Sequence, residues 1–113
     1  MKLDAYTVVF LRRSDDAPEL SDEELDGLQQ GHLAFLARMR QEGHALITGP
    51  LSGQPDASLR GIAIYRTSVE EARRLAEQDP SVKAGPPAAC PTWLLPAGTL
   101  GDRPASAIEI DDA

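Results

Sequence analysis

His32 is the residue whose type and position point most directly to chemistry. It lies within a set of apolar residues at helical spacing, which would form one stripe on a helix: Leu25, Leu28, Phe35, Leu36 and Met39. An imidazole titrates near neutral pH, so on a face that should be buried it is typical of a general acid or base. The alternative is a structural histidine, partly buried and bonded to a main-chain carbonyl or a water.

The other reactive side chains carry weaker indications. His44 follows Gly43 and is expected on the surface where the first helix ends. Cys90 has no evident basic neighbour and is interpreted as a small core residue. A single cysteine excludes a disulfide within the chain and a thiolate metal cluster. The sequence contains no Gly-rich phosphate loop, HExxH motif or serine nucleophile elbow, so we expect neither a metal nor an organic cofactor.

Length and charge limit the classes of function. The chain has 113 residues, which suggests one domain, and aliphatic residues must fill its core because aromatic residues are only 4% of the total. A net charge of −7 argues against binding to nucleic acid. We find no signal peptide and no apolar run near the length of a membrane span. The expectation is a reduced, cytoplasmic protein.

The elements that must position His32 follow from periodicity and capping residues. Each helix is preceded by a Ser-x-x-Glu capping box, at Ser21 and at Ser68. Gly43 ends the first helix, and Asp79, which precedes a proline, ends the second. Four strands and two helices are predicted, at about Ala5–Leu11, Asp22–Gln41, Ala45–Thr48, Leu59–Tyr65, Val69–Gln78 and Ala88–Leu95.

This β-α-β-β-α-β order predicts an α+β, ferredoxin-like fold, an antiparallel sheet with both helices on one face. The other face would carry Tyr6, Val8 and Phe10, too much apolar surface for a monomer in water. We therefore predict a homodimer that pairs through this sheet face. Residues 1–96 would form the domain, and residues 97–113 an acidic, mobile tail or a strap on a neighbouring subunit.

A series of short motifs over about residues 4–95 resembles the YCII-related (YciI-like) family. They are His32-Leu33-Ala34-Phe35-Leu36, Gly49-Pro50-Leu51, Gly61, Ser68-Val69-Glu70-Glu71-Ala72, Gln78-Asp79-Pro80, Lys83-Ala84-Gly85 and Trp93. The resemblance implies a dimeric ferredoxin-like fold, also called a dimeric α+β barrel, and a site centred on a histidine and an aspartate. By position these would be His32 and Asp79. One class of similar members is a dehydrochlorinase acting on a chlorinated hydroxyquinol.

The chain departs from the family pattern after Gly49-Pro50-Leu51. Many relatives have an acid there, whereas this chain has Ser52-Gly53, and its nearest acid is Asp56. In the predicted topology the first helix begins where the second ends, beside the hairpin that joins strands two and three. Asp79 and Asp56 are therefore expected to converge with the N-terminal half of the first helix. The alternative for Asp79 is a bond to the loop that follows the helix, as is common before proline.

Together these observations predict a small dimeric acid–base enzyme of lyase (dehydrochlorinase) or isomerase type that acts on a small cyclic or carbonyl compound. The carboxylate of Asp79 would hold one ring nitrogen of His32 and favour its charged form, while the other nitrogen moves the proton. Arg12, Asp56 and Arg60 are predicted to contact the substrate. The alternative is a non-catalytic, small-ligand-binding or accessory dimer, and a third interpretation is a purely structural dimer.

Overall fold

The computed structural model describes residues 1–12, 19–56, 58–80, 90–101 and 104–110. Within these ranges the chain forms five strands and two helices: β1 Lys2–Arg12, α1 Asp22–Gln41, β2 Ala45–Pro50, β3 Leu59–Tyr65, α2 Val69–Ala76, β4 Thr92–Pro96 and β5 Ser106–Glu109. The predicted bounds of α1 and β3 are confirmed. The motif Lys83-Ala84-Gly85 and the start of the predicted fourth strand, Ala88-Ala89, lie outside the described residues.

The sheet is antiparallel, with β1 at its centre. The strand order is β2-β3-β1-β4, and Thr7 of β1 stands opposite both Tyr65 of β3 and Thr92 of β4. Both helices pack on the same face, because residues of α1 and α2 share one buried cluster with Val9. The predicted α+β, ferredoxin-like fold is therefore confirmed.

Local hydrogen bonds explain where α1 begins and ends. The Ser21 hydroxyl accepts a hydrogen bond from the Glu24 amide at 3.2 Å, and the Glu24 carboxylate accepts one from the Ser21 amide at 3.3 Å. This is the predicted capping box, and it satisfies two amides that lack partners within the helix. After the last turn, Gly43 adopts a φ of +78°, a left-handed conformation that glycine adopts without steric cost.

The capping box predicted for α2 is only half formed. The Ser68 hydroxyl accepts a hydrogen bond from the Glu71 amide at 3.2 Å. The Glu71 carboxylate instead accepts a hydrogen bond from Arg74 Nε at 2.9 Å, one helical turn further along. A guanidinium that can bond a carboxylate with two nitrogens competes well with one backbone amide, so this part of the prediction is wrong.

The core between helices and sheet follows the predicted stripe. Leu25 and Leu28, in the first two turns of α1, are half-buried. The buried apolar residues from the two helices are Phe35, Leu36, Met39, Ala72, Leu75 and Ala76. Each large aliphatic or aromatic side chain buried in this way stabilises the fold by about 1.5–3 kcal/mol. The stripe therefore fixes which side of α1 faces the sheet.

The opposite face of the sheet is less open than predicted. Tyr6 and Val8 are buried within the single chain, and Leu100, which follows β4, packs against the same cluster. Two large apolar residues on this face remain about half exposed, Ile47 at 53% and Trp93 at 48%. The expectation of a wholly uncovered face is thus wrong for the part beside Leu100.

The described residues after Pro96 do not form a free tail. The Gly98 amide donates a hydrogen bond to the Asp4 carboxylate at 2.8 Å, and β5 pairs with the Lys2–Ala5 segment of β1. Because β4 occupies the other edge of this segment, β5 lies on the same edge of β1 as β3. β4 and β5 therefore lie on opposite edges of β1, and the predicted domain boundary at residue 96 does not separate the described residues 97–101 and 104–110 from the sheet.

Candidate active site

His32 and Asp79 are in direct contact. His32 Nδ1 lies 2.6 Å from Asp79 Oδ2, a short distance of the kind found in charge-assisted hydrogen bonds. The Asp79 side chain is 1% exposed and that of His32 is 16% exposed. Because an ionised carboxylate only accepts hydrogen bonds, Nδ1 carries the proton and donates the hydrogen bond to Asp79. Nε2 is then an acceptor in the neutral ring and a donor in the charged ring.

The end of α2 places Asp79 beside the imidazole ring of His32. The Gln78 amide donates to the Leu75 carbonyl at 3.0 Å, and the Asp79 amide donates to the Ala76 carbonyl at 3.1 Å. These bonds span three residues instead of four, so the chain tightens as it leaves the helix. Pro80 prevents helical continuation, because the residue before a proline avoids the helical region. The helix consequently ends at Ala76 rather than at the predicted Gln78, and the turn directs Asp79 towards α1.

Tyr65 is a buried acidic group within the electrostatic reach of Asp79. Burial and, to a smaller extent, the negative charges of Asp79 and Cys90 together raise the pKa of Tyr65 from 10.0 to about 12. The phenol is therefore neutral throughout the pH range in which an imidazole titrates. Tyr65 is not among the predicted site residues, although its alternation with Ala63 places it on the helix-covered side of β3.

Arg12 and Asp56 lie at the hairpin end of the sheet, where they pair with each other. Arg12 Nη1 is 2.8 Å from Asp56 Oδ2, and the two side chains are 40% and 57% exposed. The Ser58 hydroxyl and then the Arg12 guanidinium lower the pKa of Asp56 from 3.8 to about 2, so this carboxylate is ionised. Arg60 is exposed, and its carbonyl accepts a hydrogen bond from the Leu51 amide. The substrate contacts of Arg12, Asp56 and Arg60 stay predictions.

The remaining candidates have the structural positions expected of them. His44 follows the end of α1, and its Nε2 is 3.9 Å from a Glu42 carboxylate oxygen. Cys90 is buried in the core beneath the helices. Across the described ranges, no three His, Cys, Asp or Glu residues are grouped so that they could hold a metal ion. No described helix has the length and apolar character needed to cross a membrane.

Comparison with known proteins gives a family and distant likenesses in structure. The model of the YCII-related domain matches residues 7–93, which is most of the chain. No curated protein matches. A similar solved structure is 5-chloro-2-hydroxyhydroquinone dehydrochlorinase from Burkholderia phenoliruptrix in complex with 2,5-dihydroxybenzoquinone, with 23% identity, a TM-score of 0.48, and coverage of 79% of this chain and 90% of that one. The family match alone is sufficient to establish that this chain belongs to the YCII-related family.

Proposed function

We propose that this protein is a small acid–base enzyme in which His32 transfers the proton and Asp79 orients it. The observation that carries this proposal is the 2.6 Å contact between His32 Nδ1 and the fully buried Asp79 carboxylate. A carboxylate bound to one ring nitrogen fixes the tautomer and the ring orientation, as in many enzymes that use histidine as a base. Nε2 is then the atom that meets the substrate.

The contribution of this pair to catalysis is expressed as a fold acceleration of the reaction. A positioned general acid or base accelerates a reaction by roughly a hundred- to ten-thousand-fold. When Nε2 takes a proton, the ring becomes positively charged beside the Asp79 carboxylate. The attraction between the two charges is stronger in this buried site than it would be at the same distance in water, because the local dielectric constant is lower.

We propose a small cyclic or carbonyl compound as the substrate. Enolisation, lactone isomerisation and loss of hydrogen chloride from a hydroxylated ring each need one well-placed base that later acts as an acid, and none requires a cofactor. Arg12 and Arg60 would hold an anionic group of the substrate. Since Arg12 is already paired with Asp56, a bound anion would have to compete with that carboxylate for the guanidinium.

We also propose that two copies of the chain pair through the sheet face opposite the helices. Ile47 and Trp93, on two different strands, are about half exposed on that face. Neighbouring apolar residues there, such as Phe10 and Ile62, are only partly buried. A second copy would remove this apolar surface from water, which is favourable in proportion to its area.

The proposed chemistry is tested by two variants that each remove one property of the pair. Asn at position 32 can place its amide nitrogen where Nδ1 of His32 lies, so His32→Asn keeps a donor to Asp79 and loses the base. Asp79→Asn keeps the shape and removes the negative charge. A thermal-shift and NMR screen with small phenols, lactones and carboxylates would identify ligands, and product formation would then be followed for each hit.

We expect at least one ligand to be converted by the wild type. For that ligand, His32→Asn should lower kcat by roughly a hundred-fold or more with little change in binding. Asp79→Asn should lower kcat by a smaller factor, because the base remains but its orientation is less well defined. Conversion at the wild-type rate by His32→Asn would refute the acid–base role.

One observation favours a second interpretation, a non-catalytic ligand-binding or accessory dimer. The hydrogen bond between His32 and Asp79 ties α1 to the segment that follows α2, and such a tie contributes to packing whether or not chemistry occurs. Under this interpretation the screen yields ligands that bind the wild type and are never converted.

A further inference from the structure

A second contact accompanies the hydrogen bond between His32 and Asp79. The residue before His32 is Gly31, the residue after Asp79 is Pro80, and these two also meet. A Cβ atom built on Gly31 would lie 3.2 Å from Pro80 Cγ and 3.6 Å from Pro80 Cβ. The first distance is shorter than ordinary contacts between carbon atoms, which lie at about 3.5–4.0 Å. Only a residue without a side chain lets the two segments approach this closely.

Glycine within a helix needs a reason, because it is a poor helix former. Two glycines occur in α1, Gly27 and Gly31, and they differ in their surroundings. A Cβ on Gly27 would have no heavy atom within 4 Å, whereas one on Gly31 would press on the ring of Pro80. The absence of a side chain therefore has a spatial consequence at position 31 and none at position 27.

We propose that Gly31 and Pro80 are positioning residues that set how closely Asp79 approaches His32. This inference rests on the proposed acid–base function and concerns the geometry of the same site. The ring of Pro80 fixes its own φ, and a proline also restricts the residue before it. A displacement of the Pro80 ring therefore passes to the Asp79 backbone and is not absorbed by rotation between the two residues.

The size of the displacement sets the size of the effect. To relieve a 3.2 Å contact, the ring must move by a few tenths of an ångström. A misplacement of 1 Å can lower an enzymatic rate by roughly a hundred-fold, so a few tenths correspond to roughly a three- to tenfold loss. The hydrogen bond between Asp79 and His32 would lengthen without breaking.

Gly27→Ala is the matched control for Gly31→Ala. Both substitutions introduce the same methyl group into α1 and improve helix propensity equally, so both are expected to raise the intrinsic stability of the helix. Long-range ¹H–¹⁵N NMR of the His32 ring reports which nitrogen carries the proton and how strongly it is hydrogen-bonded, without any substrate. We expect the ring spectrum of Gly27→Ala to match the wild type and that of Gly31→Ala to show a weakened Nδ1–H donor.

A second variant keeps the test independent of how well Gly31→Ala folds. In Pro80→Ala the ring carbon Cγ is absent, so the combination of Gly31→Ala with Pro80→Ala should remove the close contact. We expect the double variant to resemble Pro80→Ala alone, and its ring spectrum to be closer to the wild type than that of Gly31→Ala. An identical His32 spectrum in Gly31→Ala and wild type would overturn the proposal.

Failure of this inference can be distinguished from failure of the proposed function. If His32→Asn converts substrate at the wild-type rate, the acid–base role is refuted, yet the ring spectra still decide whether Gly31 sets the contact. If His32→Asn is inactive and Gly31→Ala retains both the wild-type spectrum and the wild-type kcat/KM, the positioning role alone is refuted. If both hold, Gly31→Ala lowers kcat/KM by roughly three- to tenfold while Gly27→Ala leaves it unchanged.

Discussion

His32→Leu should destabilise the protein more than His32→Asn does. In both variants the imidazole is absent, but only asparagine can still donate a hydrogen bond to the carboxylate of Asp79. That carboxylate is fully buried, and the distance from its oxygen to His32 Nδ1 is 2.6 Å. Leucine leaves a buried charge without this donor, which is one of the few single changes expected to have a large effect on stability.

The magnitude follows from the burial of the pair. A hydrogen bond to a charged group contributes about 1.5–3 kcal/mol to the free energy of unfolding, and loss of the donor to a buried carboxylate lies at the upper end of this range. We expect a loss of about 3 kcal/mol for His32→Leu, or roughly 10 °C in Tm. For His32→Asn we expect a loss of about 1 kcal/mol.

Urea denaturation at pH 7 measures this difference, with the fluorescence of the single tryptophan, Trp93, as the probe. His44→Leu is the matched control, because His44 is one-third exposed and its nearest carboxylate contact is 3.9 Å away. Exposed pairs of this kind contribute less than about 1 kcal/mol. The urea dependence of the unfolding free energy should be equal in all variants, which would show that the denatured states are comparable.

Adding Asp79→Asn to His32→Leu provides a further check. The double variant no longer buries a charge, so its loss of stability should be smaller than the sum of the two single losses. Equal stability of His32→Leu and His32→Asn would contradict the reasoning, since the donor would then make no difference to the carboxylate. Strict additivity in the double variant would contradict it as well.

Three other predictions concern different parts of the molecule. Because burial raises the pKa of Tyr65 to about 12, the folded chain retains a proton that the unfolded chain loses above pH 10. Stability should therefore fall between pH 10 and pH 12 by about 1.4 kcal/mol per pH unit at most, and Tyr65→Phe should abolish this part of the fall in urea denaturation at each pH. Truncation after residue 104 should increase hydrogen exchange at the Lys2–Ala5 amides that face β5, and exchange at the wild-type rate would argue against that pairing. Ile47→Lys should dissociate the proposed dimer in analytical ultracentrifugation, whereas Leu33→Lys, on a residue of equal exposure on α1, should not; dissociation by both or by neither would contradict the proposed interface.

The helices could be predicted closely because their limits are set by local residues. Ser21 supplies the capping hydroxyl of α1, and Gly43 supplies the left-handed residue that follows it. The buried face of α1 was also predictable, since Phe35, Leu36 and Met39 recur at helical spacing. In each case the interactions that decide the outcome lie within a few residues of one another.

The pairing of β5 with β1 could not be read from local patterns. β3 ends at Tyr65, opposite Thr7, so the Lys2–Ala5 segment of β1 has an edge that β3 does not reach. Such an edge presents unpaired amides and carbonyls that another strand can satisfy. The strand that does so comes from the opposite end of the chain, and its four residues lie within a region rich in glycine, alanine and acids. The pairing of β5 with β1 therefore depends on where β3 ends.

The sequence predicted the partners of the candidate site more readily than their geometry. The stripe on α1 identified His32, the family resemblance identified Asp79, and topology placed Asp79 near the N-terminal half of α1. The 2.6 Å contact depends on the tightened turn that follows Ala76 and on the close approach of Pro80 to Gly31. The turn follows from local bonds and Pro80, whereas the approach of Pro80 to Gly31 depends on packing between α1 and the residues that follow α2, which no local pattern specifies.

The unequal burial of the two partners bears on which interpretation of the site is the better one. A hydrogen bond that serves only packing is strongest when both partners are sealed from water. Here the carboxylate of Asp79 is 1% exposed while the ring of His32 is 16% exposed. A base that exchanges protons with a substrate needs this arrangement, because the orienting group must be held rigidly and the ring must be reached from outside. The asymmetry therefore favours the acid–base proposal over a purely structural tie, and it makes the His32→Asn variant the decisive comparison.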